Sequence, residues 1–324
     1  MNIGTSLVVF GFANPRQLKR LGVIGMNRRN IQLIAANNPR HLYPLVDNKL
    51  RTKELCLKTG IATPELLAVF NAQYELRKLS ATLERLDGFV IKPAQGSGGK
   101  GILVIVGREG DDFLRTDGSK IDISGIRRHI SNILSGLYSL GGRNDVAIVE
   151  ALVHFAPCFE GMSFEGVPDI RVIVYQGYPV MAMTRLSTHA SHGKANLHQG
   201  AVGVGLNIQN GTTLRAVMRD NPITFHPDTG KDLTALNIPH WNELLSLSAR
   251  CYEMTGLGYL GVDLVLDEKL GPLLMELNAR PGLAIQLANG QGLLPRIKTI
   301  DATAKQKHRS PNQRVLYSQA LFGA

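Results

Sequence analysis

Two carboxylates and an amide, Asp263, Glu276 and Asn278, stand where they could hold a metal. They lie in YLGVDLVLDEKLGPLLMELNARPG, residues 259–282, where apolar runs Gly261–Leu266 and Leu273–Leu277 flank the polar segment DEKLGP. Gly271 and Pro272 punctuate a turn, so the stretch reads as a β-hairpin. If residues 266 and 273 pair, residue 263 falls opposite 276, and Asn278 joins that face because strand side chains repeat every two residues. Like charges so close repel unless a cation lies between them, which suits a hard, oxygen-bound metal with Mg²⁺ as first choice and Mn²⁺ as a substitute. Spacing alone leaves a second reading open, in which both acids sit on the solvent face of an amphipathic hairpin.

A second chemical element is GFVIKPAQGSGGKGILVIVG. A strand, Phe89–Lys92, precedes a glycine-rich loop, Gly96–Gly101, and a strand Ile102–Val106 follows it. The loop matches GxGxxG, yet a dinucleotide fold needs a helix after the glycines and a Walker loop needs Lys-Ser/Thr, and neither follows. A strand, glycine loop and strand instead form a hairpin whose backbone amides can close over phosphates, with Lys92 as a point charge. The alternative is an ordinary hairpin with a loose tip.

The elements that must position these groups are legible in outline. Residues 14–40 read as a basic helix broken at Asn37, Asn38 and Pro39. Asp47 or Asn48 caps a helix to about Thr59, stopped by Gly60, and another helix is expected over 71–85. Residues 111–145 read as a polar loop and a helix capped at Ser124. VAIVEALV is a buried strand carrying Glu150, and DIRVIVYQGYPVMAMTRL is a long hairpin turning at Gln176-Gly177, with Asp169 and Arg171 on one face and Arg185 near the far end. A polar loop then leads to a strand; its His189, His192 and His198 fit no familiar zinc spacing. Residues 240–255 form an amphipathic helix with Trp241, Leu244, Leu245 and Leu247 toward the core, and the tail from about 303 is expected to be mobile.

Composition narrows the class. With 324 residues, 44% hydrophobic and 19% charged, the chain can bury a large core as two or three subdomains. No apolar run approaches the roughly 18 to 20 residues that span a bilayer, and no basic region precedes the apolar N-terminal patch. Cys56, Cys158 and Cys251 are far apart and odd in number, which suits reduced thiols in a cytoplasmic protein. The net charge of +10 favours an anionic partner. Its basic clusters lack interleaved aromatics, Tyr317 aside, which argues against nucleic acid and for a solvated surface.

Taken in order, these motifs resemble the ATP-grasp carboxylate–amine ligases, particularly the RimK-type α-L-glutamate ligases and the α-L-glutamate ligase-related proteins, over about residues 45–290. The resemblance implies an α+β ATP-grasp fold in which two α+β subdomains clasp a nucleotide. It suggests a shortened N-terminal helical segment at 1–48, a small subdomain with the glycine flap at 49–150, a large subdomain with the metal hairpin at 151–300 and a basic tail at 301–324. It also assigns roles by position. Lys49 of DNKLRTK reaches the nucleotide, Lys92 the α- and β-phosphates, and Gly96, Ser97, Gly98 and Gly99 form the phosphate flap. Glu150 with the backbone of Ala151 and Leu152 holds adenine, and Asp169 the ribose. Arg185, Lys194 and Asn196 face the γ-phosphate or acyl phosphate, and Asp263, Glu276 and Asn278 match the Mg²⁺ ligands. Catalytic roles fall to Arg185, Lys92 and Arg280.

Two departures matter. Only 48 residues precede Lys49, where the family usually carries a complete α/β domain that helps hold the acceptor, so a different acceptor, a partner subunit or a homo-oligomer enters the reading. Arg280 replaces a small residue, which fits either a substrate carboxylate or a structural ion pair. The implied activity is ATP- and Mg²⁺-dependent amide formation between small-molecule or peptide carboxylates and amines. The rivals are phosphoryl transfer or carboxylation on the same fold and a nucleotide-binding module without turnover.

Overall fold

Two antiparallel sheets, each with its own hydrophobic core, organise the computed structural model, which describes residues 8–9, 12–96, 98–164, 166–304 and 309–323. The chain opens with the paired strands β1 (Val8–Val9) and β2 (Phe12–Ala13) and the short helix α1 (Pro15–Arg20), capped by Asn14. The single helix expected over 14–40 is interrupted. Gly22, at φ +69°, turns the backbone against residues 292–294: Gly292 donates to the Leu21 carbonyl and Leu294 to that of Gly22. A side-chain carbon on Gly292 would fall 1.9 Å from the Gly22 backbone, so the crossing requires glycine there. Helix α2 (Met26–Arg28) then runs into a π-helical stretch, Arg29–Ala35.

Asn38 leaves that helix to act as a clip. Its buried amide donates to the Tyr259 and Ala279 carbonyls at 2.7 and 2.8 Å, and its oxygen accepts from the Tyr259 N–H at 2.9 Å. It thus pins the start of one strand of the Asp263–Glu276 hairpin and the residue that follows the other, at the hairpin's open end. Asn38→Ala removes three buried hydrogen bonds and is expected to lower stability by about 2–4 kcal/mol, read from denaturant unfolding.

After α3 (Pro44–Asp47), helix α4 (Lys49–Thr59) lies where the sequence places it, capped by the Asn48 side chain and closed by Gly60 at φ +63°. The smaller sheet holds β3 (Leu66–Phe70), β4 (Phe89–Pro93), β5 (Leu103–Glu109), β6 (Asp112–Arg115), β7 (Lys120–Ile121) and β8 (Ala147–Ala151), in the order β3-β8-β4-β5-β6-β7. The helix expected over 71–85 is a 3₁₀ stretch, Gln73–Lys78, followed by α5 (Leu79–Leu83). Glu75 accepts from the Asn71 N–H and so closes a turn there instead. In the expected polar loop after 111, Asp117 accepts from the Ser119 N–H and shapes the turn between β6 and β7. Helix α6 (Ile123–Leu134) is capped by Asp122, which accepts from the Gly125 N–H, and not by Ser124.

The larger sheet runs β13-β12-β11-β10-β9-β14-β15. Its strands are β9 (Asp169–Tyr175), β10 (Tyr178–Leu186), β11 (Val202–Leu206), β12 (Thr213–Met218), β13 (Asn221–Ile223), β14 (Tyr259–Asp267) and β15 (Gly271–Asn278). Gln176 and Gly177 turn the β9–β10 hairpin with both residues at positive φ, as the sequence predicts. Helix α7 (Trp241–Thr255) packs on β9, β10, β14 and β15 with Trp241, Leu244, Leu245 and Leu247 buried, and α8 (Ile285–Asn289) lies over β10, β11 and β12. Every residue of β14 is buried, which explains its unbroken apolar run.

The expectation of a mobile tail is overturned for its described part. Helix α9 (Leu294–Ala304) is followed by α10 (Pro311–Phe322), which begins with a Ser310/Gln313 capping box and packs on α7 and β10. Arg314 is buried, donates to the Gly177 and Arg309 carbonyls and pairs with Glu253 at 2.5 Å. Part of the basic clustering therefore serves packing. Lys305 and Lys307 lie outside the described residues.

Candidate active site

The hairpin β14–β15 brings Asp263 opposite Glu276, through a different register from the one the turn suggests. Leu266 pairs with Pro272 rather than with Leu273, because Asp267 accepts from the N–H groups of Lys269 and Leu270 and tightens the turn by one residue. A β-bulge between Asp263 and Leu264 takes up Met275 and restores the 263/276 pairing. Bulges re-aim side chains, and here Glu276 is left 39% exposed while Asp263 is buried.

Cations do gather on Asp263, and they are arginines. Arg171, its cross-strand neighbour on β9, donates from Nε at 2.7 Å and Nη2 at 2.5 Å. Arg185 Nη2 adds a contact at 3.0 Å and Asn278 Nδ2 one at 3.1 Å. Arg185 also grips Asp169, its register partner, through Nε at 2.6 Å and through Nη2. Burial works to raise the Asp263 carboxyl, but Arg171 and then Arg185 outweigh it and hold the group down at about 2. Asp169 shifts upward: burial dominates, its one arginine is shared, and Asp263 adds like charge. Burial opposes the charge on Arg185, yet the two aspartates raise its affinity for its proton.

Across a cleft of about 420 Å³, Lys49 faces this hairpin. As the first residue of α4 it is held by its N–H on the Ala94 carbonyl, and its ammonium reaches the Gly96 carbonyl at 2.8 Å and Glu276 Oε1 at 3.1 Å. The glycine loop is anchored at both feet. Gly96 bridges to Ser139, and buried Asp145 accepts from the Gln95 N–H and the Ser139 hydroxyl. At the other foot, His129 Nε2 sits 3.0 Å from the Gly101 carbonyl, and the Tyr138 ring fills the space a Cβ on Gly101 would need. Between the feet, Gly98 and Gly99 have positive φ and open space around them. Ser97 lies outside the described residues.

Behind the loop lies a buried triad that sequence reasoning found only in part. Glu150 receives Lys92 at 2.5 Å on one oxygen and Lys53 at 2.7 Å on the other, all three side chains being at most 6% exposed. The Glu150 carboxylate is thus committed to lysines. The Ala151 N–H is likewise donated to the Glu65 carbonyl, and Leu152 is half-buried beside Gly88. Burial lowers the Lys53 ammonium below its usual range, with Glu150 opposing. Its signal in the sequence was its place four residues after Lys49, on the same face of α4.

The remaining expected residues divide. Arg280 lines the cleft, where its Nη2 donates to both Asp47 oxygens at 2.8 and 2.9 Å and its guanidinium lies over the Tyr43 ring. Asn196 spends its side-chain oxygen capping the turn Leu197–Gln199, and Lys194 is exposed on the loop between β10 and β11. Arg143 also lines the cleft, on the tight loop after Gly141-Gly142; nothing in its local sequence marks it.

As a metal site the arrangement is incomplete without a ligand. Among the described residues no three His, Cys, Asp or Glu side chains converge. Glu276 and Asn278 nonetheless line the cleft, and Mg²⁺ commonly takes one or two carboxylates and completes its shell with water and phosphate. The donor set fits that mode.

Two sheets closing on a cleft, with an anchored glycine loop above and a carboxylate hairpin below, define an ATP-grasp fold. More narrowly, the chain belongs to the sugar-transfer associated ATP-grasp family, whose model matches residues 28–302. No curated protein is detectably similar in sequence. Among solved structures, the ATP-grasp ligase PsnB with a minimal precursor is 14% identical, aligning over 84% of this chain and 64% of its own at a TM-score of 0.47. D-cycloserine synthetase DcsG is 15% identical over 82% and 72%, at 0.46. D-alanine–D-alanine ligase from Bacillus anthracis is 13% identical over 87% and 68%, at 0.43. The chain thus spans less than two thirds of the length of PsnB. No helix among the described residues is long and apolar enough to cross a membrane.

Proposed function

We propose that the protein is an ATP- and Mg²⁺-dependent carboxylate–amine ligase that forms an amide through an acyl phosphate, its carboxylate substrate an acidic amino acid or peptide and its amine glutamate or another amino acid. The observation that carries this reading is the half-exposed Glu276 beside Asn278, facing Lys49 and the foot of the glycine loop across one cleft. The RimK-type resemblance and the net charge of +10 support it.

In this reading the nucleotide phosphates lie beneath Gly96–Gly101, with Lys49 and Lys92 as their ammonium partners. Glu276 and Asn278, backed by Asp263, would hold Mg²⁺, which when bound would neutralise phosphate charge. A substrate carboxylate oxygen bonds to the γ-phosphorus while the bond to the ADP oxygen breaks. Arg185 offsets charge on the transferred group. The amine nitrogen then bonds to the acyl carbon, phosphate departs and the ammonium proton passes to solvent. Arg143 and Arg280, the latter released from Asp47, suit the acidic end of the substrate.

The test is phosphate release from ATP and Mg²⁺ by purified protein, screened across pools of amino acids and short peptides. Release that requires one acid and one amine, with amine consumed in proportion to phosphate, is the expected result. Release without amine consumption points to phosphoryl transfer, and nucleotide binding without release to a binding module.

A further inference from the structure

Lys92 rests on Glu150 at 2.5 Å, and Glu150 is 2% exposed. Turning that ammonium toward a phosphate would strip a buried carboxylate of a partner, which is strongly disfavoured when no other remains. Glu150 has one, because Lys53 holds its second oxygen at 2.7 Å and is itself fixed by a contact to the Pro64 carbonyl. The triad sets two lysines against one carboxylate, a formal surplus of positive charge that an incoming anion would balance.

We propose that Lys53 is a positioning residue for nucleotide binding: it keeps Glu150 satisfied so that Lys92 is free to engage phosphate. This rests on the reading that Lys92 is a phosphate ligand. Without Lys53, Glu150 and Lys92 form a neutral buried pair, and phosphate must compete with Glu150 for the only ammonium.

The experiment is calorimetric titration of the full chain with Mg·ADP, alongside thermal melting. Lys53→Met is expected to weaken Mg·ADP binding about tenfold or more, and Lys53→Met combined with Glu150→Gln to recover most of that loss, since Lys92 then has no carboxylate to hold it. A purely structural Lys53 would lower the melting temperature in both variants and leave the affinity of the folded protein unchanged. That result, or failure of the double variant to recover, overturns the proposal. If Lys53→Met does not fold, Lys53→Gln, which keeps a donor for the Pro64 carbonyl but removes the charge facing Glu150, decides. Weaker Mg·ADP binding that Glu150→Gln relieves supports the proposal, and unchanged affinity overturns it. A wild-type chain that binds no Mg·ADP removes the nucleotide reading itself, whereas wild-type binding with unaffected variants removes only the role of Lys53.

Discussion

Glu276→Gln is expected to lower ligase turnover by at least about a thousandfold while moving the melting temperature little. The carboxylate is 39% exposed and its only partner among the described residues is Lys49, 15% exposed, so the pair contributes at most about 1 kcal/mol to folding. Its chemical weight is far greater. Asp263 already has both oxygens bound by arginines and Asn278, which leaves Glu276 as the one hairpin carboxylate with oxygen free to meet a cation in the cleft. Glutamine keeps the shape and one oxygen but removes the charge, so metal affinity and phosphate neutralisation fall together. The measurement is phosphate release under conditions where the wild type turns over, with circular dichroism to establish the fold. Turnover within tenfold of wild type would sink the assignment of Glu276.

How far the sequence reaches is clear from the same hairpin. The pairing of Asp263 with Glu276 and the need for positive charge between them are local, carried by two-residue periodicity and a turn. Which cations answer that need is not local. Arg171 comes from β9, which pairs with β14 across more than ninety residues, and Arg185 from β10 beyond it. The bulge at Met275 was equally hidden, since two errors of one residue, at the turn and at the bulge, cancel in the final register. Helix α4 was legible because its start and stop signals, Asn48 and Gly60, are chemical and lie at its two ends. Helix α10 was not, since a basic, polar segment reads as solvated until Arg314 is seen buried against Gly177 and Glu253. Lys53, Asp145 and Arg143 escaped for the same reason: each acquires its meaning from a partner distant in sequence or across the cleft.

Asp263→Ala should be the most destabilising change in the site, costing about 3–5 kcal/mol, because it strands Arg171 and weakens the hold on Arg185 where both are largely buried. Breaking one side of a buried ion pair leaves an uncompensated charge, so replacing both sides, as in Asp263→Leu with Arg171→Leu, is expected to recover much of the loss without restoring activity. The pH dependence carries the same signature. The folded Asp263 carboxyl sits at about 2, below the unfolded value of about 3.9. Its contribution, about 2–3 kcal/mol, is therefore fully present above about pH 4 and is lost as the pH falls toward 2. Asp169, shifted the other way, takes up its proton first on acidification and adds no such loss. The difference in melting temperature between wild type and Asp263→Asn should hold steady from pH 7 to about 4 and shrink below it. A difference that grows on acidification would mean that Asp263 is not held ionised by its arginines, and the electrostatic frame on which Arg185 is positioned would have to be redrawn.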